Sequence, residues 1–409
     1  MPTIVLLGTL DTKGAEYEFV RRRLVGQGCD VIMVDAGVMG QDRVPVDIGP
    51  DEVARAADED RGALAANGDR GTAVATMARG AVRVITGLHA AGRLDGILAL
   101  GGGGGASIAA PAMQALPVGL PKLLVSTMAA GDTRPFVGGA DIAMLYPVVD
   151  IAGINRVSKR ILANAADAVA GMAGGASRMP DDEDDRPLVA ATMFGVTTPC
   201  VTAARERLED LGYEVLVFHA TGTGGRSMET LVRSGAITGV LDATTTELAD
   251  DLVGGVMSAG PERLEAAGAR AIPQVVSVGA LDMVNFGPPE TVPERFRSRT
   301  IHVHNPMVTL MRTTPEENEI LGRTLARKLN AARGPVAVFL PLGGVSALDV
   351  PGKPFHDPRA DRALYESLAA ALDPAVELVE LATDINDPSF GRAMADRLHQ
   401  LVGPGAVVA

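Results

Sequence analysis

Tryptophan is absent from this sequence, and aromatic residues make up only 3% of its 409 positions. The hydrophobic core must therefore be built from Ala, Val, Leu, Ile and Met, which dominate a hydrophobic share of 47%. With 21% charged residues, the composition is that of a folded globular protein and not of a disordered or fibrous one. A chain of this length is expected to form two or three domains.

Cysteine is nearly absent as well, since only Cys29 and Cys200 occur. Two cysteines allow at most one disulfide bond and give no metal-binding spacing, so reduced thiols in a cytoplasmic protein are expected. The first 13 residues lack the basic start and the cleavage site of a secretory signal. The uncharged stretch 96–121 contains five consecutive glycines and three prolines, which argues against a membrane-spanning helix.

Positive charge is also in short supply, because 37 basic residues face 50 acidic ones and the formal net charge is −13. This acidity argues against a nucleic-acid partner, which would need a broad basic surface. It does not exclude a single anionic ligand, because backbone amides and one lysine can hold a phosphate group. Glycine is abundant by contrast, and its 48 residues indicate many tight turns between strands and helices.

Short β-branched segments alternate with amphipathic segments along the whole chain. This alternation predicts an α/β fold of mainly parallel sheets flanked by helices on both faces. The predicted elements include a helix over 151–172 and a strand over 301–303 of the second parallel sheet.

The segment 174–186 interrupts the alternation with a proline and an acidic run, which is typical of a linker. A solvated loop inside one domain is the alternative interpretation. We therefore expect a first α/β domain at 1–175, a linker at 176–187 and a second α/β domain at 188–409.

Ligands of open parallel sheets bind at the carboxyl ends of the strands, so the residues after each predicted strand are the candidates. The first strand is followed by a loop whose lysine offers a positive charge and whose threonines offer hydroxyl donors. Asp11 either caps the next helix or holds Mg²⁺ through water. The spacing is not that of a Walker A loop, and an ordinary capped turn explains it equally well. The candidate nucleotide-binding residues here are Gly8, Thr9, Asp11, Thr12 and Lys13.

Two more loops of the first half have the same character. Five consecutive glycines weaken the backbone more than a simple turn requires, which favours close approach of the backbone to a ligand. A small, hydroxyl-rich loop follows the next strand, and the three loops together predict one phosphate-binding rim. The candidates from these two loops are Gly101, Gly102, Gly103, Gly104, Gly105, Ser126, Thr127, Gly131 and Asp132.

The second half also carries polar residues after predicted strands, which indicates a second crevice for a small polar ligand. His302 and His304 alternate along one strand and so share a face; hydrogen-bonded structural roles, acid/base roles and a metal pair all remain open. Glu247 and Asp282 suit acid/base catalysis, although helix capping explains them nearly as well. The candidate ligand residues are His219, Thr221, Gly222, Gly224, Thr244, Thr245, Asn285, His302 and Asn305, and the candidate catalytic residues are Glu247, Asp282 and His304.

The segments 8–13, 101–105, 125–132, 218–225, 279–287 and 302–314 together resemble the Tm-one-like ATP-binding family, which takes its name from a plant virus-resistance protein. The resemblance implies two Rossmann-like halves, ATP bound in the first half, and a homodimer or higher homo-oligomer. Plant members carry a further C-terminal domain similar to a TIM barrel, for which this chain has no room before Ala409.

The leading hypothesis is therefore an ATP- and Mg²⁺-binding protein of two α/β domains. Its second domain would act as an enzyme on a small polar metabolite. The alternative is a nucleotide-gated regulatory or interaction protein without catalysis of its own. Neither a nucleic acid nor a membrane is an expected partner.

Overall fold

The computed structural model describes residues 1–38, 44–176 and 186–403. The chain folds into two compact units, residues 1–182 and 183–409. Most of the linker predicted at 176–187 lies outside the described residues. Among the described residues, no helix has the length and hydropathy that crossing a membrane requires.

The first unit is a single parallel sheet with helices on both faces. Its elements are β1 (Thr3–Gly8), α1 (Leu10–Val25), β2 (Asp30–Asp35), α2 (Pro50–Ala56), α3 (Arg61–Asn67), α4 (Arg70–Ala90), β3 (Gly96–Gly101), α5 (Gly103–Gln114), β4 (Lys122–Ser126), α6 (Arg134–Val137), β5 (Ala143–Leu145) and α7 (Arg156–Ala176). The strand order is β2-β1-β3-β4-β5, and all neighbouring strands are parallel.

Two hydrophobic clusters cover the two faces of this sheet. One contains Val5, Leu7 and Met77 and lies under α4 and α5, and the other contains Leu6, Tyr17 and Val169 and lies under α1 and α7. The strand order reverses between β1 and β3, so this unit has its switch point, where doubly wound sheets open a crevice, between these two strands.

The second unit contains a parallel sheet and a small antiparallel one. Its elements are β6 (Leu188–Met193), α8 (Thr198–Asp210), β7 (Glu214–His219), α9 (Thr223–Ser234), β8 (Gly239–Thr244), α10 (Glu247–Val253), α11 (Ala266–Arg270), β9 (Gln274–Gly279), β10 (Met283–Phe286), β11 (Ile301–Asn305), β12 (Val308–Arg312), α12 (Pro315–Asn330), β13 (Val336–Pro341), α13 (Pro358–Ala371), β14 (Glu377–Leu381) and α14 (Pro388–Val402). The parallel sheet has the order β14-β13-β9-β8-β6-β7, and the antiparallel sheet has the order β10-β12-β11.

Both units therefore place their first strand between their second and third strands, which is the doubly wound arrangement. This confirms the predicted α/β class with two Rossmann-like units of mainly parallel sheet.

Two predicted elements were wrong. The strand at 301–303 is not part of the parallel sheet but is β11, which pairs antiparallel with β12. Only two residues separate β11 from β12, and so short a connection suits a hairpin, not a parallel crossover. The helix predicted from residue 151 begins at Arg156, because Gly153 has a φ of +80° and the Asn155 side chain caps the amides of Val157 and Ser158.

Candidate functional site

A cavity of about 650 Å³ opens at the switch point of the first unit. The loop after β1 supplies one wall and the loop after β3 supplies the facing wall. The segment from α3 into α4 supplies a third wall, in which Leu64, Ala73 and Val74 are apolar and Asp69 and Arg70 are charged. The lining residues are Thr9, Asp11, Thr12, Lys13, Ala36, Val38, Leu64, Gly68, Asp69, Arg70, Ala73, Val74, Gly102, Gly103, Gly104, Gly105, Ile108 and Asp150.

The loop after β1 is held by side chains from its neighbours. Buried Asp35, at the end of β2, accepts hydrogen bonds from the amides of Leu10 (2.9 Å) and Gly37 (2.8 Å). Lys13 leaves the helical conformation, with φ −126° and ψ 23°, and its ammonium donates to the carbonyl of Ile151 over 2.6 Å. An ammonium group has three donors, so Lys13 keeps donors for a ligand in the cavity.

Two of the predicted phosphate-binding glycines are required by packing within the protein. A side chain at Gly8 would overlap Tyr17, whose hydroxyl donates to the carbonyl of Leu7 over 2.6 Å and accepts from the amide of Leu100 over 2.7 Å. A Cβ atom at Gly101 would lie 2.9 Å from the Cα atom of Gly105. The absence of a side chain at these two positions therefore follows from the fold itself.

The next glycines are different, because nothing in the protein excludes a side chain from them. A Cβ atom would meet its nearest neighbour at 3.6 Å at Gly102, at 3.8 Å at Gly103 and at 3.4 Å at Gly104. None of the three has a positive φ, and glycine in a helix costs roughly 0.5–1 kcal/mol relative to alanine. Glycine is explained here if a ligand approaches the backbone closely.

Arg70 also lines the cavity, but the sequence analysis missed it because it does not follow a strand. It begins α4 directly after Asp69, whose carboxylate caps that helix by accepting from the amide of Gly71. Its guanidinium lies 3.4 Å from the position of a Cβ atom on Gly104, and it pairs with no carboxylate of the described chain. The only feature of the sequence that could have indicated Arg70 was Asp69, the helix-capping residue directly before it.

The third predicted loop does not line the cavity. The buried hydroxyl of Ser126 accepts from the amide of Met128, and so caps a 3₁₀ turn at Thr127–Ala130. Asp132 is exposed and forms an ion pair with Arg134, whose hydrogen bonds lower the Asp132 pKa to about 2. Thr127 borders Gly102, whereas Ser126, Gly131 and Asp132 lie away from the cavity wall.

In the second unit, the glycine loop that opens α9 already holds an anion from the protein. Oε1 of Glu247 accepts from the amides of Gly222 (2.6 Å) and Gly225 (3.0 Å). Side chains at Gly224 and Gly225 would overlap His219 and Glu247, and Gly222 has a φ of +83°. The glycines of this loop are therefore required by the fold, in contrast to Gly102 and Gly103.

Glu247 is held in turn by Arg263, which is buried and binds several carboxylates. Its Nε donates to Glu247 over 2.6 Å, its Nη1 and Nη2 donate to Asp242 over 2.5 and 2.7 Å, and Glu229 lies 3.5 Å away. All four side chains are at most 5% exposed. The arrangement gives Glu247 a structural role and leaves it no access to solvent.

Other polar residues predicted around this edge also form hydrogen bonds within the protein. Thr244 shares a 2.8 Å hydrogen bond with Thr197, and Thr245 donates to the carbonyl of Ser277. Asn285 donates to Asp250 over 2.6 Å. Burial raises the pKa of Asp250 to about 7. The hydroxyl of Thr221 donates a hydrogen bond to the carbonyl of His219.

The histidines predicted at this edge lie on different elements. His302 and His304 share a face of β11, as predicted, with ring centroids 6.4 Å apart, but β11 is in the antiparallel sheet. His304 is exposed, and Asn305 caps the hairpin turn by accepting from the amide of Met307. His219 packs edge-on against Phe194. Among the described residues, no group of three or more His, Cys, Asp or Glu side chains is placed to hold a metal ion.

Asp282 belongs to a buried cluster that shares a single cation. Arg312 donates to Asp361 over 2.6 Å and to Asp349 over 3.4 Å, and Ser346 donates to Asp282 over 2.7 Å. Burial, reinforced by the negative charge of Asp349, raises the pKa of Asp361 to about 8 and that of Asp282 to about 7. Sequence reasoning found Asp282 but not its partners, which come from the end of β12, the loop after β13 and the first turn of α13.

These raised pKa values predict that stability falls as the pH rises. Folded Asp282, Asp361 and Asp250 keep protons that the unfolded chain releases near pH 3.8, so stability declines as the pH rises from about 4 and levels off above their folded pKa values of about 7 to 8. Each extra proton gives a slope of up to about 1.4 kcal/mol per pH unit within that window. Urea unfolding between about pH 5 and about pH 8 should show the decline, and Asp361→Asn should flatten it. A parent chain whose stability is constant or rises over this range would contradict the assignment.

Comparison with known proteins places both units in one family. The N-terminal domain model of the uncharacterised protein family UPF0261 matches residues 2–178, and its C-terminal domain model matches residues 186–402. A UPF0261 protein of Clostridium tetani is 51% identical over 396 residues, covering 97% of this chain and 98% of that protein. The ToMV resistance protein of Solanum lycopersicum is 50% identical over 308 residues, covering 74% of this chain and 41% of that protein. These relatives confirm the resemblance inferred from the sequence.

Among solved structures, a putative UDP-N-acetylglucosamine 2-epimerase from Listeria monocytogenes matches 99% of this chain and 93% of that one. The identity is 12% and the TM-score is 0.24, values too low to support any statement about function.

Proposed function

This chain belongs to the uncharacterised protein family UPF0261, and we propose that its first unit binds ATP with Mg²⁺ in the cavity at the switch point of its sheet. One observation carries the proposal. Gly102, Gly103 and Gly104 face this cavity although neither packing nor backbone conformation requires glycine there. A phosphate chain lying against the start of α5 supplies the missing reason.

The walls of the cavity suit the parts of a nucleoside triphosphate. Lys13, on the wall formed after β1, and Arg70, whose guanidinium lies beside Gly104, bring positive charge to the cavity in which the amides of Gly103 and Gly104 begin α5. Apolar side chains, Leu64 and Val74 among them, offer a surface for a base on the third wall. The volume of about 650 Å³ lies within the range of small-molecule sites.

Magnesium fits the oxygen donors of the same cavity. The carboxylates of Asp11 and Asp150 and the hydroxyls of Thr9 and Thr12 line it. Mg²⁺ is commonly bound by one or two carboxylates together with the phosphates of its nucleotide, so no larger cluster is needed. When bound, the ion would neutralise phosphate charge.

For the second unit, the buried carboxylates favour a nucleotide-gated regulatory function over an enzyme. Glu247 and Asp282 were the candidate acid/base groups, but both are fully buried in hydrogen-bonded clusters. An enzyme acting on a small polar metabolite would have to rely on accessible groups such as His219 and His304. A thermal-shift screen of metabolites with ATP present separates the two, because only the enzyme requires a metabolite to bind.

Mg²⁺ with ATP is expected to raise the melting temperature, and Lys13→Ala is expected to weaken ATP binding. A hydrogen bond from a charged donor is worth roughly 1.5–3 kcal/mol, which corresponds to about a 10- to 100-fold change in Kd. Isothermal titration calorimetry measures it, with the exposed Lys353→Ala as the matched control. An absence of heat and of any melting shift at millimolar ATP would overturn the proposal.

A further inference from the structure

Five cationic side chains line one concavity on the surface of the first unit, between α1 and α7. Arg22 and Arg23 come from the last turn of α1, and Arg156, Lys159 and Arg160 come from the start of α7. Phe19 and Ala163 complete the lining, and the volume is about 610 Å³. We call this concavity the basic bowl. It shares no residue with the switch-point cavity.

The bowl has fewer counter-ions than cations. Arg22 pairs with Glu18 over 2.6 Å, and Arg23 pairs with Asp167 over 2.7 Å. Glu18 is shared with Arg21. The exposed side chains of Arg156, Lys159 and Arg160 pair with no carboxylate anywhere in the described parts of the chain. In a protein with a net charge of −13, three unpaired cations around one concavity are a local reversal of charge.

The position of these cations on α7 also works against the helix. The N-terminal end of a helix carries partial positive charge, so cations there are unfavourable. The first turn of α7 has no acidic residue, and its cap is the neutral side chain of Asn155. The favourable arrangement occurs in α12, which has acidic residues in its first turn and basic ones in its last. Helix stability therefore does not explain the cations of α7.

We propose that the basic bowl binds a small anion that carries several phosphate groups. Guanidinium groups bind phosphate oxygens in pairs, and four of the five cations are arginines. The volume fits a small molecule, and the ring of Phe19 offers apolar contact to an organic part of the ligand. The cations converge on one concavity instead of following a track, which favours a compact anion over a nucleic-acid strand.

The test uses inorganic tripolyphosphate as the probe and the full chain carrying Gly103→Val, so that the switch-point cavity does not contribute. Calorimetric titration should show one bound tripolyphosphate per chain, with an affinity that falls as the salt concentration rises from about 50 to about 200 mM. Adding Arg156→Ala and Arg160→Ala should weaken binding at least about tenfold. The control is the same background with Arg55→Ala and Arg93→Ala, which removes two exposed cations elsewhere in the unit and should leave binding unchanged.

Three outcomes would overturn the proposal. The first is an absence of heat, and the second is equal weakening by the two double variants, which would reduce the effect to net charge. The third is tighter binding of a single-stranded RNA oligonucleotide with the same sensitivity to Arg156 and Arg160, which would assign the surface to nucleic acid. None of these outcomes bears on ATP binding, because that is measured in the chain without Gly103→Val.

Discussion

Arg263→Ala is expected to lower the free energy of unfolding of the second unit by about 3–5 kcal/mol, because it leaves buried carboxylates without their cation. Asp242 and Glu247 are fully buried and both accept hydrogen bonds from Arg263, and Glu229 lies 3.5 Å from the same guanidinium. Urea unfolding measures the loss. The exposed Arg297→Ala is the matched control, for which a change within about 0.5 kcal/mol is expected.

Further variants keep this test informative if Arg263→Ala does not fold. Arg263→Lys retains the charge but not the several donors of the guanidinium, so it should lie between the parent and the alanine variant. Glu247→Gln combined with Arg263→Met removes one buried charge of each sign and should recover part of the loss. Full stability of Arg263→Ala would show that the network contributes nothing, contrary to our interpretation.

Gly103→Val is expected to weaken ATP binding at least about 100-fold, which corresponds to about 2.7 kcal/mol. The side chain would occupy the space where a phosphate must approach the first turn of α5. Gly103→Ala should separate binding from stability, because alanine stabilises a helix by roughly 0.5–1 kcal/mol while its methyl group still weakens nucleotide binding. Calorimetry gives the affinity and urea unfolding gives the stability.

Gly171→Ala, an exposed position of α7 with nothing within 4 Å of its Cβ position, is the matched control. It should gain similar stability and bind ATP as the parent does. If Gly103→Val binds ATP normally, the phosphates do not lie against α5. If Gly103→Ala loses stability, Gly103 has a packing role that its surroundings do not reveal.

The sequence predicted the strand ends well but could not predict which of them remain open. β1 was recognisable from its β-branched run and β3 from its apolar run, and the loops after them do meet at the cavity. The wall from α3 and α4 was missed because no strand precedes Leu64 or Arg70 directly. A search restricted to the residues that directly follow strands therefore misses them.

In the second unit the sequence predicted a ligand site that the fold itself already fills. The loop at 222–225 has the glycine pattern of an anion site, but Glu247 already binds its amides. Glu247 lies more than twenty positions away in the sequence, and only the fold reveals that its carboxylate reaches this loop. His302 was misplaced for a related reason, because a short strand gives no indication of which sheet it joins.

The burial of Tyr17 also affects the near-ultraviolet absorption and emission of this protein. Without tryptophan, near-ultraviolet absorption and emission come mainly from four tyrosines, and Tyr17 is fully buried between the ends of β1 and β3. Burial raises the pKa of its phenol, so this chromophore stays protonated in alkaline solution as long as the fold survives. A single tryptophan introduced at the cavity rim would therefore emit against a background free of indole.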